Sequence, residues 1–140
     1  MNTFDPTPAL ETLRGFQRRT VDHVFDRFYN DAGTADRFLV ADETGLGKSM
    51  VARGVIAKAI ERLDREDSGV DRIDIVYVCS NADLAKQNLG RLNVTGQTDI
   101  IESGRLTLLP IELGRLNAEP GPKTRKRVNF VSLRTRGKIT

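Results

Sequence analysis

The sequence predicts an α/β fold built on a largely parallel sheet. Two observations point there. β-Branched apolar runs such as "RIDIVYVC" and "RVNFVSL" have the composition of buried strands, and between them lie stretches with helical spacing of apolar residues. The connections are polar and contain glycine or proline, as turns require. At 140 residues the chain amounts to one domain, with 39% hydrophobic and 29% charged residues.

The elements follow in order. Residues 1–12 contain two prolines and no helical period, so a loose lead-in is expected. "LRGFQRRTVDHVFDRFYN" places Phe16, Val21, Val24, Phe25 and Phe28 on one helical face, which assigns these phenylalanines to the core. Asp22 and Asp26, four apart on the same helix, read as its solvated side. "NDAGTAD" ends the helix, and "RFLVA" (Arg37 to Ala41) reads as a short buried strand. A helix from about Ser49 to Arg65 turns Val51, Val55, Ile56, Ile60 and Leu63 inward. After the loop "EDSGVD" come the strand "RIDIVYVC" and the helix "NADLAKQNLGRL", with Asn81 suited to cap it. "RLTLLP" and "RVNFVSL" are two further strands, separated by "NAEPGPKTRK".

Charge is unevenly spread. The net +3 comes from 22 basic and 19 acidic residues, and all 19 acids precede Pro120. Lys123, Arg125, Lys126, Arg127, Arg134, Arg136 and Lys138 follow with no acid among them, which reads either as a phosphate-attracting patch or as a solvated end. One cysteine, Cys79, excludes an internal disulfide and reads as a small buried hydrophobe. No run approaches the ~20 apolar residues of a membrane span. With no signal-like start, the expected location is the cytoplasm. His23 is the only histidine, and no Cys/His cluster suggests zinc.

The stretch "FLVADETGLGKSMVARGVIAKAI" sets two glycines, a lysine and a serine between the apolar run and an amphipathic helix. That arrangement suits a phosphate cradle. Gly45 and Gly47 tolerate positive φ and leave room for backbone N–H groups to approach an anion. Lys48 adds a mobile cation, Ser49 offers a hydroxyl to Mg²⁺, and the helix dipole favours negative charge. The pattern G-x-x-x-x-G-K-[ST] is met from Gly47 onward, with Asp42 where the first glycine normally stands.

"ADETGLGKS" resembles the "ADEMGLGKT" form of this loop in superfamily-two helicases and translocases, above all the Swi/Snf-like branch. "LRGFQ" resembles the glutamine motif of that family, and "IVYVCSNADLAKQNLGRL" its motif Ia. The resemblance runs from about Leu13 to Leu133 and implies a partial RecA-like, three-layer lobe whose phosphate-loop strand is central. Residues 134–140 would be a basic tail outside it. It further implies that ATP and Mg²⁺ bind at Gln17, Thr44, Gly45, Leu46, Gly47, Lys48 and Ser49, with Gln17 reading adenine and Phe16 and Arg14 shaping the base pocket. Ser80 and Asn81 would touch a nucleic-acid backbone, DNA by the family's habit, although Asn81 is equally explained as a helix cap.

ATP hydrolysis in that family also needs an Asp-Glu pair at a later strand end and an arginine finger. The sequence has one Asp-Glu pair, Asp42-Glu43, inside the loop itself, and Glu66-Asp67 follows no apolar strand. The expectation is therefore the ATP-binding part of a helicase-type ATP hydrolase, incomplete and without its full catalytic set, as a truncated reading frame would give. Two other readings stand beside it: a non-catalytic nucleic-acid or partner-binding module using the basic end, and a small P-loop kinase or switch with unusual acids.

Overall fold

In the computed structural model, which describes residues 3–41, 47–97, 100–104, 116 and 119–135, three strands form one parallel sheet. β1 (Arg72–Cys79), β2 (Ile100–Ser103) and β3 (Arg127–Arg134) stand in the order β1-β3-β2. Ile73 lies beside Val128 and Ile75 beside Phe130, while Ile100 flanks Phe130 from the opposite edge. The central strand is buried continuously from Val128 to Leu133, as befits a parallel strand with neighbours on both edges. Its buried amide is paired: Asn129 Nδ2 donates to Asp74 Oδ1 at 2.9 Å.

Four helices join the sheet: α1 (Thr7–Glu11), α2 (Gly15–Tyr29), α3 (Lys48–Leu63) and α4 (Ala82–Leu92). Ala57 and Ile60 of α3 and Leu89 of α4 pack on the sheet face that carries Ile73, Val128 and Phe130. The other side of α3 meets α1 and α2 through Val51, which clusters with Leu10 and Val21. α3 is thus the middle layer, apolar on two sides, and this explains why Val51, Val55, Ile56 and Ile60 spread around it. α4 begins at Asn81, whose side-chain oxygen accepts the N–H groups of Asp83 and Leu84 at 2.9 and 3.1 Å.

Several expectations need correction. Arg37 to Ala41 is not a strand: Leu39 is 83% exposed and no ladder forms there. Its apolar residues find partners on helices instead. Val40 packs against the Leu10–Val21–Val51 cluster, and the Phe38 ring lies edge-on to His23 and Phe28 at centroid distances of 5.6 and 6.5 Å. A strand requires a neighbour's N–H and C=O groups, and side-chain contacts with α2 do not supply them. Phe16, expected in the core, is exposed near the start of α2, whereas Phe25 is buried and Phe28 half-buried.

Residues 3–12 are docked, not loose. Phe4, Ala9 and Leu10 are buried, and α1 forms behind Pro6. Asp22 is not only solvated, for Lys58 Nζ reaches its carboxylate at 2.8 Å. Cys79 is half-buried. β2 was not anticipated by the sequence. "RLTLLP" and residues 136–140 lie outside the described residues. No helix among the described residues is long and apolar enough to cross a membrane.

Candidate nucleotide-phosphate site

The start of α3 is shaped by its contact with α2. At Gly54 an added Cβ would stand 2.7 Å from Val21 Cγ2 and 2.9 Å from Leu13 Cδ1, so the helices approach only because α3 has no side chain there. One turn on, Lys58 pairs with Asp22 and lies 4.5 Å from the centroid of the Phe25 ring. These contacts fix α2 along α3 and bring the first turn of α2 to the beginning of α3.

Gln17 is the residue so delivered. It is buried, and its Oε1 accepts the Arg14 N–H at 2.9 Å. Its Nε2 lies so near Gly47 that a Cβ there would fall well inside 3.0 Å. Gly47 itself has φ 80° and ψ 43°, the left-handed conformation that glycine adopts without strain. The backbone conformation therefore favours glycine at this point, and any larger residue would also have to displace the Gln17 amide.

The electrostatics of this helix start are distinctive. Among the described residues α3 has no side-chain cap and no acid in its first turn, and its first residue is Lys48. The N–H groups of Met50 and Val51 donate to the Gly47 carbonyl at 2.9 and 3.1 Å, and the amides of Lys48 and Ser49 precede them at the open end. A lysine at the positive end of a helix dipole is unfavourable unless an anion lies between them. α4 shows the contrasting solution, with Asn81 bound to its first amides and Asp83 in its first turn.

Of the expected site residues, Gln17, Gly47, Lys48 and Ser49 come together at this one place; Lys48 is exposed and Ser49 half-buried. Thr44, Gly45 and Leu46 lie outside the described residues. Arg14 and Phe16 flank Gln17 from exposed positions. Ser80 and Asn81 belong to the β1–α4 turn, where the Asn81 oxygen already caps the helix. Beside that turn, a cleft of about 230 Å³ is lined by Asp83, Lys86, Glu102, Ser132 and Arg134, and its mixed charges show no preference for an anion. Among the described residues, no group of three or more His, Cys, Asp and Glu side chains gathers to hold a metal ion.

The basic C-terminal stretch is mostly part of the fold. Residues Arg127–Arg134 are β3, Arg125 pairs with Glu66 at 3.1 Å, and Lys126 Nζ donates to Ser68 Oγ. Sequence reasoning missed Asp64. This fully buried carboxylate accepts N–H groups from Phe4, Arg125 and Lys126 and joins three segments. Its neighbours in "LDREDSG" are charged and give no hint of burial.

No known protein-family model matches the chain, and comparison with curated proteins gives no match either.

Proposed function

We propose that this chain binds a nucleoside triphosphate with Mg²⁺ at the start of α3, as a partial RecA-like lobe of the helicase and translocase kind. One observation supports this most: the helix begins at a left-handed Gly47 with a leading Lys48, and among the described residues it has no side-chain cap and no acid in its first turn. That set of choices is costly for a free helix terminus and favourable beside phosphate. In this reading Lys48 neutralises the terminal phosphates and the amides of Lys48 and Ser49 donate to them. Ser49 gives its hydroxyl to Mg²⁺, which supplies charge neutralisation on the phosphate oxygens.

Base reading by Gln17, and contact of Ser80 and Asn81 with a DNA backbone, are supported by the resemblance in sequence alone. The only Asp-Glu pair lies within the loop, so this chain by itself binds nucleotide without efficient hydrolysis. The alternative module built on a free basic end is weakened by the fold, because among its described basic residues Arg127 and Arg134 belong to the central strand and Arg125 and Lys126 are bound to Glu66 and Ser68.

The test is a titration of the chain with ATP in the presence and absence of Mg²⁺, followed by calorimetry. Lys48→Ala should weaken binding at least tenfold, about the loss of one charge-assisted contact to phosphate. Equal affinity of the variant and the parent chain would remove the assignment.

A further inference from the structure

We infer that Gln17 is a positioning residue, a strut that sets the start of α3, and not the group that selects the base. The inference rests on the proposed nucleotide site and concerns how that site is held. Three observations support it. Gln17 is 7% exposed, so its amide has little freedom to swing toward a ligand. Its oxygen is committed to the Arg14 N–H at 2.9 Å, which closes the first turn of α2. That bond also fixes which end of the amide is which, since only the oxygen can accept from N–H, and so directs Nε2 at Gly47.

An amide held this way sits between the N-terminus of α2 and that of α3. Gly54 and the Lys58–Asp22 pair fix the two helices further along, and Gln17 fixes them at the end where phosphate would bind. Gly47 is left-handed and Met50 and Val51 both donate to its carbonyl, so any rotation there displaces the first turn of α3. Base selection needs a donor and an acceptor offered together to one edge of a base. The Gln17 oxygen already accepts from its own helix and its Nε2 lies against Gly47, so the pair is engaged within the protein.

The two roles separate experimentally through inorganic triphosphate, which has the phosphates and no base. Gln17→Ala and the length-matched Gln17→Met are titrated with ATP and with inorganic triphosphate, each with Mg²⁺. Hydrogen exchange of the Met50 and Val51 amides is measured without ligand. A strut requires both affinities to fall by the same factor, about tenfold for one buried hydrogen bond, so that their ratio stays constant. It also requires exchange at Met50 and Val51 to accelerate at least fivefold, while exchange in β3 stays as in the parent chain.

A fall in ATP affinity with triphosphate affinity unchanged would overturn the inference and restore base reading. Unchanged exchange at Met50 and Val51 would overturn it independently of any ligand. If the parent chain binds neither ATP nor triphosphate, the proposed function fails while the exchange result still decides the strut. Faster exchange throughout the sheet would show a general loss of stability and would also count against it.

Discussion

The Asp64 carboxylate accepts the backbone N–H of Phe4 at 3.0 Å, across a sequence separation of 60 residues. The same side chain takes the N–H groups of Arg125 and Lys126, each at 2.8 Å. It therefore ties the N-terminal segment and the entrance of β3 to the end of α3. This fully buried acid is tolerated because three backbone N–H dipoles replace its water.

Asp64→Ala would leave those three N–H groups without their acceptor. At about 1–3 kcal/mol for each buried group left unpaired, and with partial rehydration, the expected loss is about 3 kcal/mol or more. For a chain of this size that corresponds to a drop in melting temperature of roughly 6 °C or more. Asp64→Asn should lose nearly as much, since one of its two ends becomes a donor facing donors. A loss below about 1 kcal/mol in thermal or denaturant unfolding would mean that the clamp is dispensable.

Gly54 gives the second prediction. Alanine there gains up to about 1 kcal/mol of helix propensity and loses about 1–3 kcal/mol from crowding Val21 and Leu13. The crowded atoms are side-chain ends at 2.7 and 2.9 Å, which can yield slightly. Gly54→Ala should therefore be mildly destabilising and Gly54→Leu severely so, with both also displacing α2 from the proposed nucleotide site. Thermal melts of the two variants check the order. Equal stability of parent and leucine variant would show that the helices do not meet as described.

How much of this was legible beforehand depends on which force decides each element. β1 and β3 are visible because their β-branched and aromatic runs suit a sheet, although only β3 is buried along its length and β1 is an edge strand. Asn81 is visible because its cap is a local bond two and three residues long. β2 has only four residues, two of them isoleucine, and pairing with β3 decides it. Phe38 to Val40 has strand composition, but its partners are the side chains of His23, Phe28, Val21 and Val51. In the site, Gly47 and Lys48 follow from the loop pattern. The nearness of Gln17 to Gly47 follows from the α2–α3 approach at Gly54, which no local pattern encodes.

The Tyr29 hydroxyl provides a dependence on pH. Burial raises its pKa above the usual 10.0, and the nearby Arg62 opposes part of that rise. The Arg62 guanidinium also lies 5.2 Å from the centre of the Tyr29 ring. The folded state holds this proton more tightly than the unfolded state. Its contribution is therefore complete below about pH 10 and disappears as pH rises through the elevated folded value. Melting temperatures measured from pH 8 to 11 should fall more steeply for the parent chain than for Tyr29→Phe. Coincident slopes would show that this hydroxyl plays no part in alkaline unfolding.

β1 sets the last expectation. It pairs with β3 on one edge, and among the described residues no strand lies on the other. Val76 and Val78, on the sheet face away from Ile73, are 48% and 55% exposed. An open edge of eight residues bordered by apolar side chains favours association between chains, and natural edges usually oppose this with lysine. The parent chain should therefore show concentration-dependent association in sedimentation velocity, reduced in the Val76→Lys, Val78→Lys double variant. Because both positions are half-exposed, their stability cost should stay near 1 kcal/mol or less. An unchanged association profile at equal stability would place the sticky surface elsewhere, with exposed Phe38 and Leu39 as the next positions to change.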